Sequence, residues 1–512
     1  MRHRGLTSLA LAAIVLAPHA AFAKGSPDKG AASDDEDAQD DANLASGKNA
    51  KNKSDAKAAG KSDEADASED AAPEAPEAKA APEPEPTPAP SSPVHSRWDT
   101  ELYGFIELDG MHDSTQSYAD GANSNLLARR GTYNGDRGQT QATVKNSRLG
   151  FRLNPPEWNG VKTSGVVEVD FFGIQPYDAT QNDYYTLGTV RMRHAYLKLR
   201  AGALEVLAGQ YHDLFGWGGN GFYPNTVAYL GIPGEIYHRN PQLRVSGKLG
   251  DESATNVEIA VAAVRPAQRH SEVPDGEAGL RVAFGGWKGV AAQGAGQPQL
   301  TPLSIGVSGI ARRFVIPQFI SQPRASETKY GFGAAADLVI PVIPVKNVED
   351  RANALTVTAE VSIGTGVADM YTGMTGGGKF PELDNPSNDK PPFTYPQDID
   401  SGLITYDADL NLRTYNWNAF VVGAQYYLPV AKGKVWVSGL YSQAQSNNIV
   451  DITPSTSSGA IVRLMRYFDA NLWAALAPST HLGLSFQRTQ QTYGDESLPV
   501  NMRAEIALLF FF

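Results

Sequence analysis

The sequence predicts an all-β fold: a transmembrane antiparallel β-barrel of about sixteen strands behind a disordered, acidic, Ala/Pro-rich extension. Three observations carry that prediction. Apolar and polar side chains alternate with a period of two, connections alternate between short and long, and the final strand ends on phenylalanine.

Alternation comes first because it defines strands with two chemically different faces. From Trp98 onward, Leu102, Ile106 and Leu108 share one face while Glu107 and Asp109 share the other. Leu149, Phe151 and Leu153 then alternate with Arg148, Gly150 and Arg152, and Val167, Val169 and Phe171 with Glu168 and Asp170. The pattern recurs in Leu243, Val245 and Leu249 against Arg244, Ser246 and Lys248, and in Leu280, Val282 and Phe284 against Arg281. It continues with Leu355, Val357, Ala359, Val361 and Ile363 against Glu360 and its neighbours, and with Leu482, Leu484 and Phe486. A soluble sandwich also alternates, but so many strands without an intervening helical pattern are too many for one sandwich.

The connections make the second argument. Leu153 to Val161 turns through Asn154-Pro155-Pro156, and Tyr427 to Val435 turns through Pro429 to Lys434. Between such turns lie long loops, among them Asp113 to Thr140 and Thr365 to Ser401. Short turns at one rim and long loops at the other are the habit of outer-membrane barrels. A hairpin with one turn and one loop takes about fifty residues, so the folded part holds roughly sixteen strands. Alternation is weakest between Gly286 and Pro341 and between Gln443 and Leu464. An even count places both barrel ends, and the extension, in the periplasm; sixteen strands leave a water-filled lumen.

Third, Val500, Met502, Ala504, Ile506, Leu508, Phe510 and Phe512 share one face of the last strand, opposite Arg503 and Glu505. Such a stripe is an aggregation hazard in water and suits a lipid-facing strand beside an interface. Phe510 and Phe512 are therefore the candidate assembly signal for a barrel-assembly machinery, and outer-membrane lipids and lipopolysaccharide are the expected surroundings.

The N-terminus fits this compartment. Basic Arg2, His3 and Arg4, the apolar Leu6–Leu16 run and Ala21-Phe22-Ala23 read as a signal peptide over 1–23. The run is too short for a spanning helix, which needs about twenty residues. Residues 24–97 form a second material, an acidic Ala/Pro-rich linker with no aromatic residue and almost no large aliphatic one. Up to His95 its seventeen acidic residues against eight lysines carry nine of the chain's twelve net negative charges. Such a segment cannot bury enough apolar surface to offset its ordering entropy. The barrel follows over 98–512. With no cysteine in the chain, a disulfide framework and a thiolate metal site are excluded.

The polar strand faces point into the expected lumen. Candidate pore-lining groups are Arg148, Arg152, Arg244, Arg281 and Arg503, opposed by Glu107, Asp109, Glu168, Asp170 and Glu360. A barrel with guanidinium on one wall and carboxylate on the other sets up a transverse field that orients charged solutes. The same groups can also serve as cross-strand ion pairs that hold register, with Arg148 and Arg152 neutralising the paired carboxylates Glu107 and Asp109 or Glu168 and Asp170. The segment from Asp213 to Glu235 is rich in glycine and aromatics, including Phe215, Trp217, Asn220, Phe222 and Tyr223. Glycine permits tight turns and aromatics pack on an inner wall, which is the composition of a loop folded inward to narrow a pore. Gly216 to Gly221 matches a dinucleotide fingerprint by letter only, since no helix follows it. The histidines have no ligand-type companions, and no nucleophile, base and acid set stands out. No catalytic residue, metal, cofactor or nucleic-acid partner is expected.

Several segments are similar to the DcaP-like porin family. Tyr103-Gly104-Phe105-Ile106-Glu107-Leu108-Asp109 resembles its first strand and Asn146-Ser147-Arg148-Leu149-Gly150-Phe151 its second. Arg191-Met192-Arg193-His194-Ala195-Tyr196, Ala208-Gly209-Gln210, Arg239-Asn240-Pro241-Gln242-Leu243-Arg244 and Pro274-Asp275 ahead of Arg281 also fit. The likeness covers roughly Tyr103 to Phe284, and phosphate-selective porins share part of it. It implies a sixteen-stranded homotrimeric channel for small, often anionic solutes, with Arg148, Arg191, Arg193, Arg239 and Arg244 as pore arginines. The family carries a coiled coil before its barrel; this chain has no heptads there. Two other functions stay open for such a barrel: a non-conducting envelope tether or adhesin, and a membrane-embedded hydrolase.

Overall fold

Alternation closes into a ring. The computed structural model describes residues 98–512 apart from 121–125, 174–187, 219–220, 230, 319–324, 373–398 and 454–460, so the signal segment and linker lie outside the described residues. Strands run in the order β1 (Asp99–Asp113), β2 (Gln139–Thr143), β3 (Arg148–Asn154), β4 (Val161–Asp170), β5 (Arg191–Ala201), β6 (Leu204–His212) and β7 (Arg239–Gly250). They continue as β8 (Thr255–Val264), β9 (Asp275–Ala291), β10 (Gln299–Pro317), β11 (Ser326–Ile343), β12 (Leu355–Thr365), β13 (Ile404–Tyr406) and β14 (Leu412–Thr414). The last five are β15 (Asn416–Tyr427), β16 (Val435–Ser446), β17 (Val462–Ala477), β18 (Thr480–Tyr493) and β19 (Val500–Phe511).

Seventeen strands form one sheet, and β13 and β14 form a separate small hairpin. Strands next to one another around the ring pair antiparallel, β12 with β15 across the small hairpin, and β1 closes the ring on β19 from Phe105 opposite Phe511 to Asp113 opposite Arg503. Both β2 and β3 pair with β1, so they are one strand interrupted at 144–147, and the barrel has sixteen. The helical pieces among the described residues are single turns.

Direction follows from the pairing. One rim carries the connections 154–161, 201–204, 250–255, 291–299, 343–355, 427–435 and 477–480; the other carries the longest ones, 113–139, 212–239 and 365–416. Outward positions bear the apolar stripe: Ile106 is 57% exposed, Leu108 50%, Ile363 66% and Phe510 47%. A belt of this kind around a closed sheet satisfies every strand edge internally and offers lipid an apolar surface.

The region with the weakest alternation holds the longest strands, β9, β10 and β11, of 17, 19 and 18 residues. Their inner faces are apolar in part as well, because Ile310, Phe314, Ile316 and Ala335 pack against loops inside the barrel. A strand covered on both faces loses the two-residue signal. The core of this protein therefore lies within the lumen. One cluster joins Phe215, Ile236, Val367, Met370, Leu403, Tyr406 and Trp417. A second, formed by Tyr427, Trp436, Trp473, Ala507 and Leu509, is built around indoles of Trp436 and Trp473 stacked 5.7 Å apart and 3° from parallel.

Candidate functional site: a lumen with one bare wall

The connection between β6 and β7 turns inward and lies along the inner faces of β8 to β18. Trp217 is fully buried in the slot left by two glycines, where a Cβ on Gly279 or Gly306 would come within 2.8 or 2.7 Å of its indole. Gly216 at φ 76° makes the sharp bend that delivers it. Phe222 joins Trp217 and Leu214 on Ala260, Ala262 and Val339. Phe215, Trp217 and Phe222 thus face the wall, whereas Tyr223 turns to His212 and Tyr237, and Tyr229 stacks on Phe172.

A loop inside a barrel carries backbone donors that need partners. The wall supplies them. Glu277 accepts from the backbone N–H groups of Leu214 (2.7 Å) and Phe215 (3.1 Å), and Ser308 Oγ from that of Gly216 at 2.8 Å. Glu360 accepts from Ile236 N–H at 2.7 Å, and Asp469 from the Thr226 hydroxyl at 2.5 Å. The indole N–H of Trp217 donates to the Val307 carbonyl at 2.9 Å.

Across from the loop, β3 to β7 bear the charged groups. Arg191 donates to Asp170 through two bonds of 2.9 and 2.6 Å. Arg193 bridges Glu168 (2.7 Å), Asp170 (3.0 Å) and the Tyr237 hydroxyl (2.9 Å). Arg148 reaches Glu168 only at 3.5 Å. Arg239 donates to the Tyr237 hydroxyl at 3.1 Å, and among the described residues it has no carboxylate in ion-pair range. Three guanidinium groups thus share two carboxylates, and Arg239 stands beside them as a fourth. Burial alone would raise the Tyr237 phenol, but Arg193, Arg239 and Arg148 outweigh it and bring it down to about 7. These side chains line a cavity of about 490 Å³, closed on its far side by Glu235, Gly294 and Ala295.

The candidate residues therefore separate by place. Arg148, Glu168, Arg191, Arg193, Arg239 and Tyr223 border the cavity, with Asp170 directly behind its arginines. Glu360 lies under the loop as an anchor. Arg244 holds the loop's first residues by donating to the His212 carbonyl at 2.6 Å. Arg281 pairs with Glu258 at 2.7 Å, and Arg503 pairs with Asp113 through two bonds of 2.9 Å. Arg152 sits at the turn rim, half exposed, against Glu101 at 2.8 Å.

Of the expected neutralisation by Arg148 and Arg152, the part at Glu168 is present through Arg148 at 3.5 Å, whereas Glu107 and Asp109 pair with neither arginine, since Arg152 pairs with Glu101. Glu107 is fully buried and accepts from the Asn146 amide at 2.6 Å, with Asp109 buried beside it. The break between β2 and β3 turns that amide inward and so changes the partner. Asn220 lies outside the described residues. Phe510 and Phe512 face outward, at 47% and 44% exposure. Tyr237 and the Gln293–Gly296 turn join the site without a signal in the sequence, since neither belongs to an alternating segment.

The sequence matches no family model and no curated protein. Its structure is similar to the outer membrane channel DcaP of Acinetobacter baumannii, with a TM-score of 0.57 and 18% identity over 81% of this chain and 97% of that one. The barrel has a porin fold. Lower similarity extends to Salmonella typhi OmpF in complex with Daunomycin (TM-score 0.42, 11% identity, 81% of this chain and 97% of that one). It extends also to Pseudomonas putida OprB (TM-score 0.41, 10% identity, 81% of this chain and 94% of that one). Within this porin fold, the positions that meet the lumen are the ones through which one such chain can differ from another.

Proposed function

We propose that the protein is an outer-membrane porin for passive diffusion of small hydrophilic solutes, with a preference for anions. The observation that supports this reading is the surplus of guanidinium over carboxylate on the bare wall of a closed barrel. Arg239 has no carboxylate in ion-pair range among the described residues, and Arg148 reaches at 3.5 Å a Glu168 that Arg193 already holds. In a constricted site bounded by low-dielectric walls, such charge attracts anions more strongly than it would in bulk water. The inward loop from Asp213 to Glu235 narrows the path towards these arginines and is held rigid by the wall's carboxylates.

The same reading assigns residues 1–23 to a cleaved signal, 24–97 to a periplasmic extension, Phe510 and Phe512 to assembly, and three copies to the working unit. Purified protein in a planar bilayer tests the function directly. Discrete conductance steps with a reversal potential favouring the anion are expected. A folded, heat-modifiable barrel that gives no steps would sink the porin reading in favour of a tether.

A further inference from the structure

The connection between β9 and β10 belongs to the turn rim, yet it does not stay there. Val290, Ala291 and Ala292 are fully or nearly fully buried inside the barrel. Gln425, pointing inward from β15, clamps Ala292 from both sides: its side-chain oxygen accepts from the Ala292 N–H at 2.8 Å and its amide donates to the Ala292 carbonyl at 3.1 Å. Thr356 on β12 adds a bond to the Val290 carbonyl at 2.8 Å.

From that anchor the turn meets the tip of the loop that entered from the opposite rim. Gly294 N–H donates to the Pro224 carbonyl at 2.9 Å, and the Gly294 carbonyl accepts from Thr226 N–H at 3.2 Å and from the Asn225 amide at 2.7 Å. Asn225 is itself fixed by the Trp436 indole N–H at 2.9 Å. Gln293, Gly294, Ala295 and Gly296 then form part of the cavity surface facing Arg148 and Arg239.

We propose that this turn is a specificity-determining element of the constriction: the path is narrowed from both rims, and an uncharged backbone clasp at Gly294 sets the gap opposite the arginines. The proposal rests on the porin reading. Its chemistry follows from what the turn lacks. Gln293 to Gly296 carries no charged side chain, so the turn itself adds neither a carboxylate that would compete for the arginines nor a second cation that would hold an anion; the carboxylates that border the cavity beyond it are Glu235 and Asp369. Weak enough binding to leave is a condition for conduction. Gly294 is also the point where the gap can be altered, because a Cβ there meets no atom within 4 Å. Its φ of 51° lies where a non-glycine residue is strained but not excluded.

The natural chain has no cysteine, so Gly294→Cys supplies a single thiol in the full-length protein. Conductance is recorded before and after a negatively charged and a positively charged methanethiosulfonate reagent. Either adduct should lower single-channel conductance by about half or more. The sulfonate should shift the reversal potential towards cations and the ammonium towards anions. Ala295→Cys, which borders the same cavity, gives the same readout where Gly294→Cys does not yield a heat-modifiable barrel. An adduct verified by mass that changes neither quantity overturns the proposal, as does a thiol the reagents cannot reach in a conducting channel. A wild-type barrel that forms no channel overturns the porin reading and this inference with it, whereas an insensitive variant of a conducting protein overturns this inference alone.

Discussion

Strands β3 to β7 meet the lumen with long side chains, among them Arg148, Arg191, Arg193, Tyr196 and Arg239, whereas β8 to β18 carry short ones at the positions where the loop lies against them. Ala260, Gly279, Gly306, Ser308, Thr358, Gly423, Ser438 and Gly483 occupy inward positions on the second wall. The inward loop explains the difference. Where a second layer of chain must fit inside a barrel of fixed circumference, the wall yields the space. Gly423 leaves room for Pro224 and Gly483 for Val227, each of which a Cβ would approach within 2.8 Å. The acids of the two walls differ likewise. Those under the loop accept hydrogen bonds from its backbone and hydroxyls, and those on the bare wall hold guanidinium groups in place. One wall is scaffold for the loop, and the other is left for the solute.

The largest expected effect comes from filling the scaffold wall. Gly306→Leu would drive a side chain into the Trp217 indole and cost about 3 kcal/mol, in line with overpacked cores. The heat-modification midpoint should fall and single-channel conductance should rise as the loop leaves the wall. A variant with wild-type values in both would show that the slot is not needed.

On the bare wall, removing the surplus charge should change selectivity and leave stability nearly intact. Arg148→Ser with Arg239→Ser should lower the anion-to-cation permeability ratio by about tenfold, each charge contributing on the order of 1 kcal/mol at contact range. The change should be greater in dilute salt, where screening is weaker. Arg244→Ser should do the reverse, lowering thermal stability by releasing the His212 carbonyl while the reversal potential stays put. If Arg244 governed selectivity as strongly as Arg239, the division into scaffold and solute walls would fail.

A smaller effect concerns pH. The Tyr237 phenol, held at about 7 by Arg193, Arg239 and Arg148 against the opposing effect of burial, is neutral below that value and phenolate above it. The cavity therefore gains one negative charge as pH rises through about 7, and anion preference should weaken between pH 6 and pH 8. Tyr237→Phe should flatten that dependence and keep the low-pH preference at all values. Reversal potentials measured across the range decide it; a Phe variant with an undiminished step would move the titration to another group.

The smallest effect is expected at the rim. Arg152 and Glu101 form an exposed pair, side chains 46% and 54% accessible, and such pairs contribute about 0–1 kcal/mol. Arg152→Ser should leave conductance, selectivity and melting within error, and a clear change in selectivity would extend the solute wall to the turn rim.

How far the sequence reaches differs between the same two regions. Alternation in Leu149–Leu153 or Leu355–Ile363 is a local property, because one face meets lipid and the other does not, and together with the turn and loop lengths and the terminal phenylalanines it predicts a barrel of roughly sixteen strands. It fades in β10, where Ile310, Phe314 and Ile316 face inward, since the apolar partner there is a loop more than fifty residues away in the chain. The glycine and aromatic content of Asp213 to Glu235 predicts an inward loop, and the arginines of the bare wall are legible as inward or by resemblance.

Which arginines keep a free charge is another matter. Arg244 and Arg239 are five residues apart, and nothing local distinguishes them. Only the folded chain puts the His212 carbonyl against one and a lone phenol against the other. Likewise Glu360 and Glu168 both sit on polar strand faces, and the loop's Ile236 N–H alone makes the first an anchor. The sequence by itself determined the periodicity, and with it the barrel, because burial against lipid is decided residue by residue. The tertiary structure decided the pairing of charges and the clasp between Gly294 and Asn225, because each depends on where a distant segment comes to rest.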